Sequence, residues 1–219
     1  MEAQAWNQRY DGAELLWTAQ PVALLVAECE NLVPGRALDL ACGEGRNAVW
    51  LAKEGWSVTG VDFSDVAVDK ARRLAEAEGV SVEWVVADLR TYQTEADAYD
   101  LVVVLYLHLP ASQRRAVHAA AARALRPGGS LLVVAHDLTN LTDGYGGPQD
   151  PSILFTPEDI VEELGGLSIL KTERVTRAVS TEAGERTAID AVVRAARPPR
   201  RGGHQASHGV ARAVGGEVQ

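Results

Sequence analysis

The chain alternates between two hydrophobic patterns from residue 36 to residue 136. Short runs rich in valine and leucine, which predict strands, lie at 36–40, 57–63, 80–87, 99–107 and 130–136. Longer stretches with apolar residues at helical spacing lie between them, at 46–54, 64–78 and 111–125. Because strands and helices alternate, the pattern predicts a parallel sheet with helices on both faces.

The pattern changes after the last of these strands, where a segment dense in Gly, Asp, Asn and Pro predicts a loop. A helix is predicted next, with Thr156 as its N-cap, Pro157 at its first position and Asp159 completing a capping box. Two further strands are predicted at 167–176 and 186–196. The connection between them is too short for a parallel crossover, so the strands must be antiparallel. The chain is therefore predicted to be α/β, with a doubly wound, Rossmann-like, mostly parallel seven-stranded sheet and a C-terminal antiparallel hairpin.

The N-terminal residues 1–30 are expected to form a lid and a helix that starts at Pro21. The lid segment contains Arg9 and the tryptophans Trp6 and Trp17, and it could lie over the carboxyl ends of the strands. The alternative is that the two tryptophans only attach the N-terminus to the core.

Residues 1–196 are expected to form a single domain, followed by a tail, 197–219. The tail is rich in Pro, Gly and Arg and has almost no large apolar residues, so we expect it to be disordered. Its histidines His204 and His208 have a spacing that helical metal sites also use. No acidic or cysteine partner lies nearby in the sequence, and no metal site is predicted.

Composition narrows the function classes. Among the 219 residues the net charge is −9, which argues against a nucleic-acid partner. No apolar run approaches the roughly eighteen residues of a membrane span, and the N-terminus does not resemble a secretory signal. Cys29 and Cys42 make a poor disulfide framework. These features predict a reduced, cytoplasmic protein without a membrane partner; its oligomeric state is left open.

Residues 43–48, Gly-Glu-Gly-Arg-Asn-Ala, form a glycine turn between the first strand and its helix. Asp62 ends the second strand about twenty residues on, as in a dinucleotide fingerprint. However, the turn also contains Glu44, and Asp39 and Asp88 end two other strands. Four acids disfavour a pyrophosphate. They suit a ligand with cationic groups, hydroxyls and amines, such as S-adenosylmethionine.

Five segments in order resemble the successive motifs of class I S-adenosylmethionine-dependent methyltransferases: LDLACGEGR, VTGVDFS, VVADL, YDLVVVLYLHLP and LRPGGSLLVV. The Arg-Asn pair after the second glycine, together with Arg9-Tyr10, is most similar to the tellurite-resistance and thiopurine S-methyltransferase-type branch. The resemblance covers residues 6–195, and the tail departs from it.

The resemblance implies how the methionine part of S-adenosylmethionine would be held. Asp39 would accept a hydrogen bond from its amino group, directly or through water. Gly43 and Gly45 would let the backbone approach it, because a side chain there would collide. Arg9 would pair with its carboxylate, and Tyr10 would assist.

The adenosine part would lie on the second and third strands. Asp62 would accept both ribose hydroxyls, and Phe63 would stack on or flank the adenine. Asp88 would accept from the adenine amine, while the backbone N–H of Leu89 would reach a ring nitrogen. Leu105, at the end of the fourth strand, would lie near the sulfonium.

Catalytic candidates are few, because a sulfonium leaves readily and positioning can supply most of the acceleration. Tyr106, His108 and His136 are predicted near the point of transfer, and Asp137 could orient His136. The alternative for each histidine is a structural hydrogen bond. Asp137 and the loop 143–148 are expected to border the acceptor pocket.

The leading hypothesis is methyl transfer to a small molecule, and the resembled branch points to a thiol or chalcogen nucleophile. Oxygen and nitrogen acceptors stay open. One alternative is an NAD-dependent oxidoreductase, although none of Lys53, Lys70 and Lys171 has the tyrosine four residues before it that a Tyr-x-x-x-Lys pair needs. Another alternative is a regulator that binds S-adenosylmethionine without catalysis.

Overall fold

The computed structural model describes residues 3–12 and 14–200, which fold around one seven-stranded sheet. The strands are β1 (Arg36–Leu40), β2 (Ser57–Asp62), β3 (Glu83–Val86), β4 (Tyr99–Leu105), β5 (Leu125–His136), β6 (Ser168–Thr181) and β7 (Gly184–Ala196). The helices are α1 (Ala3–Tyr10), α2 (Ala23–Cys29), α3 (Arg46–Lys53), α4 (Asp65–Ala77), α5 (Ala111–Ala124), α6 (Asn140–Asp143) and α7 (Pro157–Glu163).

The strand order is β3-β2-β1-β4-β5-β7-β6. Strands β1 to β5 pair in parallel, β7 is antiparallel to β5, and β6 is antiparallel to β7. The predicted fold class is therefore confirmed. The strand order reverses between β1 and β4, and a crevice opens there at the carboxyl ends of the strands.

The core lies on both faces of the sheet. Along β4, Val102 and Val104 pack into one hydrophobic cluster, whereas Leu101, Val103 and Leu105 pack into the other. Successive side chains of a strand point to opposite faces, so a strand that is apolar throughout must be covered on both sides.

Helix boundaries follow the predicted capping residues with one exception. Ser64 accepts from the Ala67 amide at the start of α4, and Thr156 forms the predicted capping box with Asp159. The prediction that α2 starts at Pro21 is wrong by two residues. Val22 stays extended because its amide donates to the side chain of Asn47 at 2.9 Å, and the helix begins after it.

Three strands differ in length from the prediction, because contacts with adjacent elements set where they begin and end. β3 begins at Glu83 instead of residue 80, because the chain is still closing the end of α4: the Val80 amide donates to the Ala75 carbonyl. Strands β6 and β7 are longer than predicted and approach to within a two-residue turn, since they pair from Thr181–Gly184 down to Ser168–Ala196.

The N-terminal segment is attached to the sheet domain by polar contacts. Asn7 accepts from the Ser64 hydroxyl at 2.6 Å, and Tyr10 is buried. The ammonium of Lys70 donates to the Glu14 carbonyl at 2.6 Å. None of the helices in residues 3–12 and 14–200 is long and apolar enough to span a membrane.

The predicted tail starts inside the ordered domain. The Arg197 amide donates to the Gly129 carbonyl at 2.9 Å, and its guanidinium donates to the Leu125 carbonyl at 2.6 Å. Arg197 thus contacts the sheet, while the predicted domain boundary after residue 196 stays a prediction. Residues 201–219 of the tail, with His204 and His208, lie outside the described residues.

Candidate active site

A cavity of about 800 Å³ lies at the carboxyl ends of the strands. Along this edge the strand order places Asp88 after β3, Asp62 on β2, Gly43 after β1, Tyr106 after β4 and His136 on β5. Eleven predicted site residues line the cavity: Arg9, Tyr10, Gly43, Asp62, Phe63, Asp88, Leu89, Leu105, Tyr106, His108 and His136. Asp39 and Gly45 are not among the lining residues.

Two residues with positive φ mark the point where the strand order reverses. Ala41 follows β1 with φ 65°, and Tyr106 follows β4 with φ 56°. Non-glycine residues rarely adopt this conformation, and where they do it is common at functional sites. The conformation at Tyr106 is stabilised by its amide, which donates to the Val134 carbonyl at 2.6 Å.

Asp62 joins the glycine turn to the start of α4. Its two oxygens accept from the backbone amides of Gly43 and Ser64, each at 2.9 Å, and the residue is 5% exposed. Burial raises the pKa of this carboxyl, and the backbone N–H donors partly offset the rise. The side chain is thereby held in one orientation at the cavity wall.

Two opposite charges near the turn, Asp39 and Arg46, act on each other electrostatically without forming a hydrogen bond or a close ion pair. Asp39 is 1% exposed, and neither of its oxygens accepts a hydrogen bond of normal geometry from a described residue. Burial, together with the negative charge of Asp62, raises the pKa of Asp39 to about 7. The half-buried guanidinium of Arg46 lines the cavity and makes no hydrogen bond or ion pair within the part of the chain that the structure describes. Burial lowers the pKa of Arg46.

Glu44, one of the four acids expected to favour a cationic ligand, is not available to one. It is 4% exposed and lies 3.1 Å from the ammonium of Lys70. It also accepts from the backbone amides of Leu16 and Trp17, each at 3.0 Å. Its charge is therefore neutralised and directed at the N-terminal segment, away from any ligand of the turn.

Asp88 is paired as well. Both of its oxygens accept from the guanidinium of Arg90, which holds the pKa of the Asp88 carboxyl below its usual range. Only Asp39 and Asp62 of the four acids therefore lack a basic side-chain partner among the described residues. The electrostatic preference for a cationic ligand comes from these two.

The two glycines of the turn are required for different reasons. A Cβ on Gly45 would lie 2.6 Å from the Cβ of Ala71 and 2.7 Å from the ring of Trp84. Gly45 therefore allows α3 to pack on α4 and β3, and its expected role in letting the backbone approach a ligand stays a prediction. A Cβ on Gly43 would meet only the Tyr10 hydroxyl, at 3.2 Å.

A second polar cluster surrounds Asp190 on β7, at the opposite end of the cavity edge from β3. Asp190 is fully buried and lies directly opposite His136 in the β5–β7 pairing. Its Oδ2 accepts from the Tyr106 hydroxyl and from Arg177 Nε, both at 2.9 Å, and its Oδ1 lies 3.3 Å from His136 Nδ1. Burial alone would raise the pKa of Asp190, but His136, Arg177 and Tyr106 outweigh it and the pKa is lowered.

The expectation that Asp137 orients His136 is wrong. Consecutive residues at the end of β5 point to opposite sides. Asp137 instead accepts from the amide and hydroxyl of Thr139, at 2.8 and 2.7 Å, and lies 3.1 Å from Arg174 Nε. The carboxylate within ion-pair distance of His136 Nδ1 is that of Asp190. The one signal for it in the sequence is an acid inside the apolar run of β7.

The three catalytic candidates have different environments. Burial and the neighbouring His136 lower the pKa of His108 to about 4, and its Nε2 accepts from the His136 amide at 3.3 Å. Burial and the charge of Asp190 raise the pKa of Tyr106 far above its usual value. His136 is half-buried, and its Nε2 makes no hydrogen bond with any described residue. His136 is therefore the candidate with a ring nitrogen available to a ligand.

The loop expected to border the acceptor pocket does so at two residues. Gly147 and Pro148 line the cavity. Gly147 has φ 74°, and a Cβ there would lie 2.7 Å from the ring of His136. The backbone of this loop therefore packs directly against the imidazole.

The chain is similar to known methyltransferases over part of its length. Residues 37–129 match the family model described as a methyltransferase domain. Over 133 residues the chain is 32% identical to the ubiquinone biosynthesis O-methyltransferase of Coxiella burnetii (strain Dugway 5J108-111), a match that covers 59% of this chain and 56% of that protein. The chain thus spans little more than half the length of the curated relatives that it matches.

Solved structures share the fold. A structure from work on the conversion of a disulfide bond into a thioacetal group during echinomycin biosynthesis has a TM-score of 0.74 at 23% identity, covering 91% of this chain and 94% of that chain. The structure of TehB from Haemophilus influenzae has a TM-score of 0.69 at 20% identity, and the match covers 89% of this chain and 66% of that chain. The structure of the N-methyltransferase NodS from Bradyrhizobium japonicum WM9, in complex with S-adenosyl-l-homocysteine, has a TM-score of 0.67 at 17% identity. That match covers 90% of this chain and 98% of that chain.

The sheet order and the family match agree with each other. The fold is that of the class I methyltransferases, and residues 37–129 match the methyltransferase domain. The predicted methyltransferase fold is confirmed, and the similarity to named methyltransferases agrees with S-adenosylmethionine as the predicted cofactor. Assignment to the tellurite-resistance and thiopurine S-methyltransferase-type branch stays a prediction.

Proposed function

We propose that the protein transfers the methyl group of S-adenosylmethionine to a small-molecule acceptor in the cavity described above. The observation that carries this proposal is that two opposite charges at the glycine turn, Asp39 and Arg46, act on each other electrostatically but make no hydrogen bond of normal geometry with a described residue. An amino acid moiety has one ammonium and one carboxylate, which are the complementary groups. Buried polar groups are nearly always paired in folded proteins, so an unpaired buried carboxylate needs a partner.

The remaining cofactor residues keep the roles that the sequence suggested, with one addition. Arg46, which sequence reasoning passed over, joins Arg9 as a partner for the methionine carboxylate. The side chain of Arg9 is exposed and stacks on Trp6, whereas that of Arg46 is half-buried at the turn itself. A charge-assisted hydrogen bond is stronger where water is excluded, which favours Arg46.

The adenosine part would bind at the ends of β2 and β3. Asp62 has each oxygen already bonded to one backbone amide, and each retains a lone pair for a ribose hydroxyl. Phe63 and Leu89 line the same part of the cavity and would contact the adenine, with Asp88 near its amine. Bound there, S-adenosylmethionine would supply an activated methyl group on a sulfonium.

The acceptor is expected on the β4–β5 side, where Leu105, Tyr106 and His136 line the cavity. The Coxiella burnetii relative is named as an O-methyltransferase, which favours an oxygen acceptor here. A thiol or chalcogen nucleophile, suggested by the resemblance of the glycine turn, remains the second hypothesis. The cytoplasmic location and the single domain over residues 1–196 also stay predictions.

Calorimetric titration tests the cofactor directly. We expect binding of S-adenosylmethionine and S-adenosylhomocysteine, and none of NAD. The variant Arg46→Gln should weaken binding of S-adenosylhomocysteine by a factor of about 10 to 100, the range for losing one charge-assisted hydrogen bond. The matched variant Arg72→Gln, on the exposed side of α4, should bind as the wild type does.

The alternatives predict different titrations. Binding of NAD alone would support the oxidoreductase and would refute the proposed function. Binding of S-adenosylmethionine without turnover of any hydroxyl, thiol or amine acceptor would favour the non-catalytic regulator. Equal affinities for Arg46→Gln and Arg72→Gln would remove Arg46 from the site.

A further inference from the structure

We propose that His136 is a general base positioned by Asp190, and that the acceptor is therefore a hydroxyl group that must lose its proton on methylation. This inference rests on the proposed function and adds the substrate class. It concerns Asp190, a residue to which sequence reasoning assigned no role. Asp190 is a positioning residue, and His136 is the group that would touch the acceptor.

The imidazole of His136 lies on the acceptor side of the cavity. The cofactor residues lie at the ends of β3, β2 and β1, whereas His136 ends β5, with β4 between them. The Gly147 backbone packs against the His136 ring, and the ring of His108 stacks on it with centroids 5.5 Å apart. The ring is thus confined at the acceptor side of the cavity.

The tautomer of His136 follows from the group beside Nδ1. Asp190 Oδ2 accepts from Tyr106 and Arg177, whereas Oδ1 lies 3.3 Å from His136 Nδ1, and the two atoms make no hydrogen bond of normal geometry with each other or with another described residue. Because a carboxylate can only accept, a proton on Nδ1 of the neutral ring would give both buried atoms a partner, and this is the tautomer that we propose. Nε2 then holds a lone pair. A base whose other nitrogen is oriented by a carboxylate is a recurring arrangement in acid–base catalysis.

The neighbouring side chains of His108 and Tyr106 are not suited to accept the proton of the acceptor. His108 uses its Nε2 to accept from the His136 amide, and its lowered pKa keeps it neutral. Tyr106 donates its hydroxyl proton to Asp190 and has a raised pKa. The charged and titratable groups that face His136 are Asp190 from β7, Arg177 from β6, and Tyr106 and His108 from the end of β4.

The reaction balances with these groups. The acceptor oxygen forms the bond to the methyl carbon, the electron pair of the broken carbon–sulfur bond stays on sulfur, and the acceptor proton moves to His136 Nε2. The positive charge lost from the sulfonium appears on the imidazolium, which Asp190 stabilises. Release of that proton to water restores the neutral ring. A thiol that ionises near neutral pH would not need this base.

Nitrogen NMR of the histidine rings tests the tautomer without any acceptor. In protein with 15N-labelled histidine, with His136→Gln used to assign the signal, we expect His136 to be protonated on Nδ1. Asp190→Asn should abolish that preference. Asp137→Asn is the matched control, since Asp137 is equally buried and lies beside an arginine but does not contact His136. A His136 ring protonated on Nε2, or unchanged in Asp190→Asn, would overturn the proposal.

Turnover tests the substrate class, with catechol as the hydroxyl probe and thiophenol as the thiol probe. His136→Gln should lower kcat for catechol by about 10²- to 10⁴-fold, the usual contribution of a general base, and remove the acidic limb of its pH profile. Methylation of thiophenol should fall less than about tenfold, because that substrate is already ionised.

Each contrary result has a distinct meaning. An equal loss on both probes would give His136 a structural role, and methylation of thiophenol with none of catechol would refute the hydroxyl acceptor. Failure of the proposed function itself would appear separately, as absence of S-adenosylmethionine binding by calorimetry. Thermal unfolding of each variant establishes that the protein is folded.

Discussion

The carboxylate of Glu44 lies 3.1 Å from the ammonium of Lys70, and the side chains are 3% and 7% exposed. Glu44 belongs to the glycine turn, and Lys70 lies on α4. Together they hold the backbone of the N-terminal segment, because Glu44 accepts from the amides of Leu16 and Trp17. The ion pair therefore couples the turn that would hold the cofactor to the segment that forms one wall of the cavity.

Removal of Lys70 is expected to be strongly destabilising. Lys70→Met leaves Glu44 buried without its cation, which costs about 3–5 kcal/mol of the free energy of unfolding. Lys53→Met removes an exposed partner of Glu78 and should cost less than about 1 kcal/mol. Urea titration of both variants measures the difference. Similar losses would mean that the Glu44–Lys70 pair is not buried in solution.

The buried Asp39 predicts a pH dependence of stability. Burial first, and then the charge of Asp62, raise its folded pKa to about 7 from an ordinary 3.8. A group with a raised folded pKa binds more protons in the folded state, so its contribution is complete below the ordinary pKa and is lost as the pH rises through about 7.

Asp39→Asn should remove this dependence. The stability of the wild type should fall relative to that of Asp39→Asn between pH 4 and pH 8, by up to about 4 kcal/mol. Unfolding curves at several pH values, without ligand, give the difference, and Asp69→Asn on the exposed face of α4 is the control. Parallel pH profiles for wild type and Asp39→Asn would contradict the raised pKa.

Two glycines offer a matched test of crowding. Gly45 and Gly79 have φ of 84° and 68°, but a Cβ on Gly79 meets nothing within 4 Å. Both alanine variants lose about 1–2 kcal/mol to the left-handed backbone. Gly45→Ala should lose a further 1–3 kcal/mol, roughly, from contact with Ala71 and Trp84. Equal losses in unfolding free energy would show that α3 and α4 can separate to admit a methyl group.

The boundary of the domain can be tested at two arginines. Arg197→Ala removes a donor to the Leu125 carbonyl and should lower the free energy of unfolding by about 1 kcal/mol. Arg200→Ala, whose side chain is 78% exposed, should change it by less than about 0.5 kcal/mol. If neither substitution has an effect, the domain ends at residue 196, as the composition suggested.

The alternation of strands and helices, the antiparallel C-terminal pair and the capping box at Thr156 can all be predicted from the amino-acid sequence. These features depend on hydrophobic period and on residues a few positions apart, so local physics is sufficient to predict them. The glycine turn and the Asp62 that follows it are also local features, and they contribute to the resemblance to class I methyltransferases.

Which charged side chains are free to contact a ligand depends on the packing of distant segments. Glu44 pairs with Lys70, and His136 lies opposite Asp190 and not beside its sequence neighbour Asp137. Both outcomes depend on how distant segments pack and on strand register. A strand also turns adjacent residues to opposite faces, so proximity along the chain is a poor guide to contact across the site.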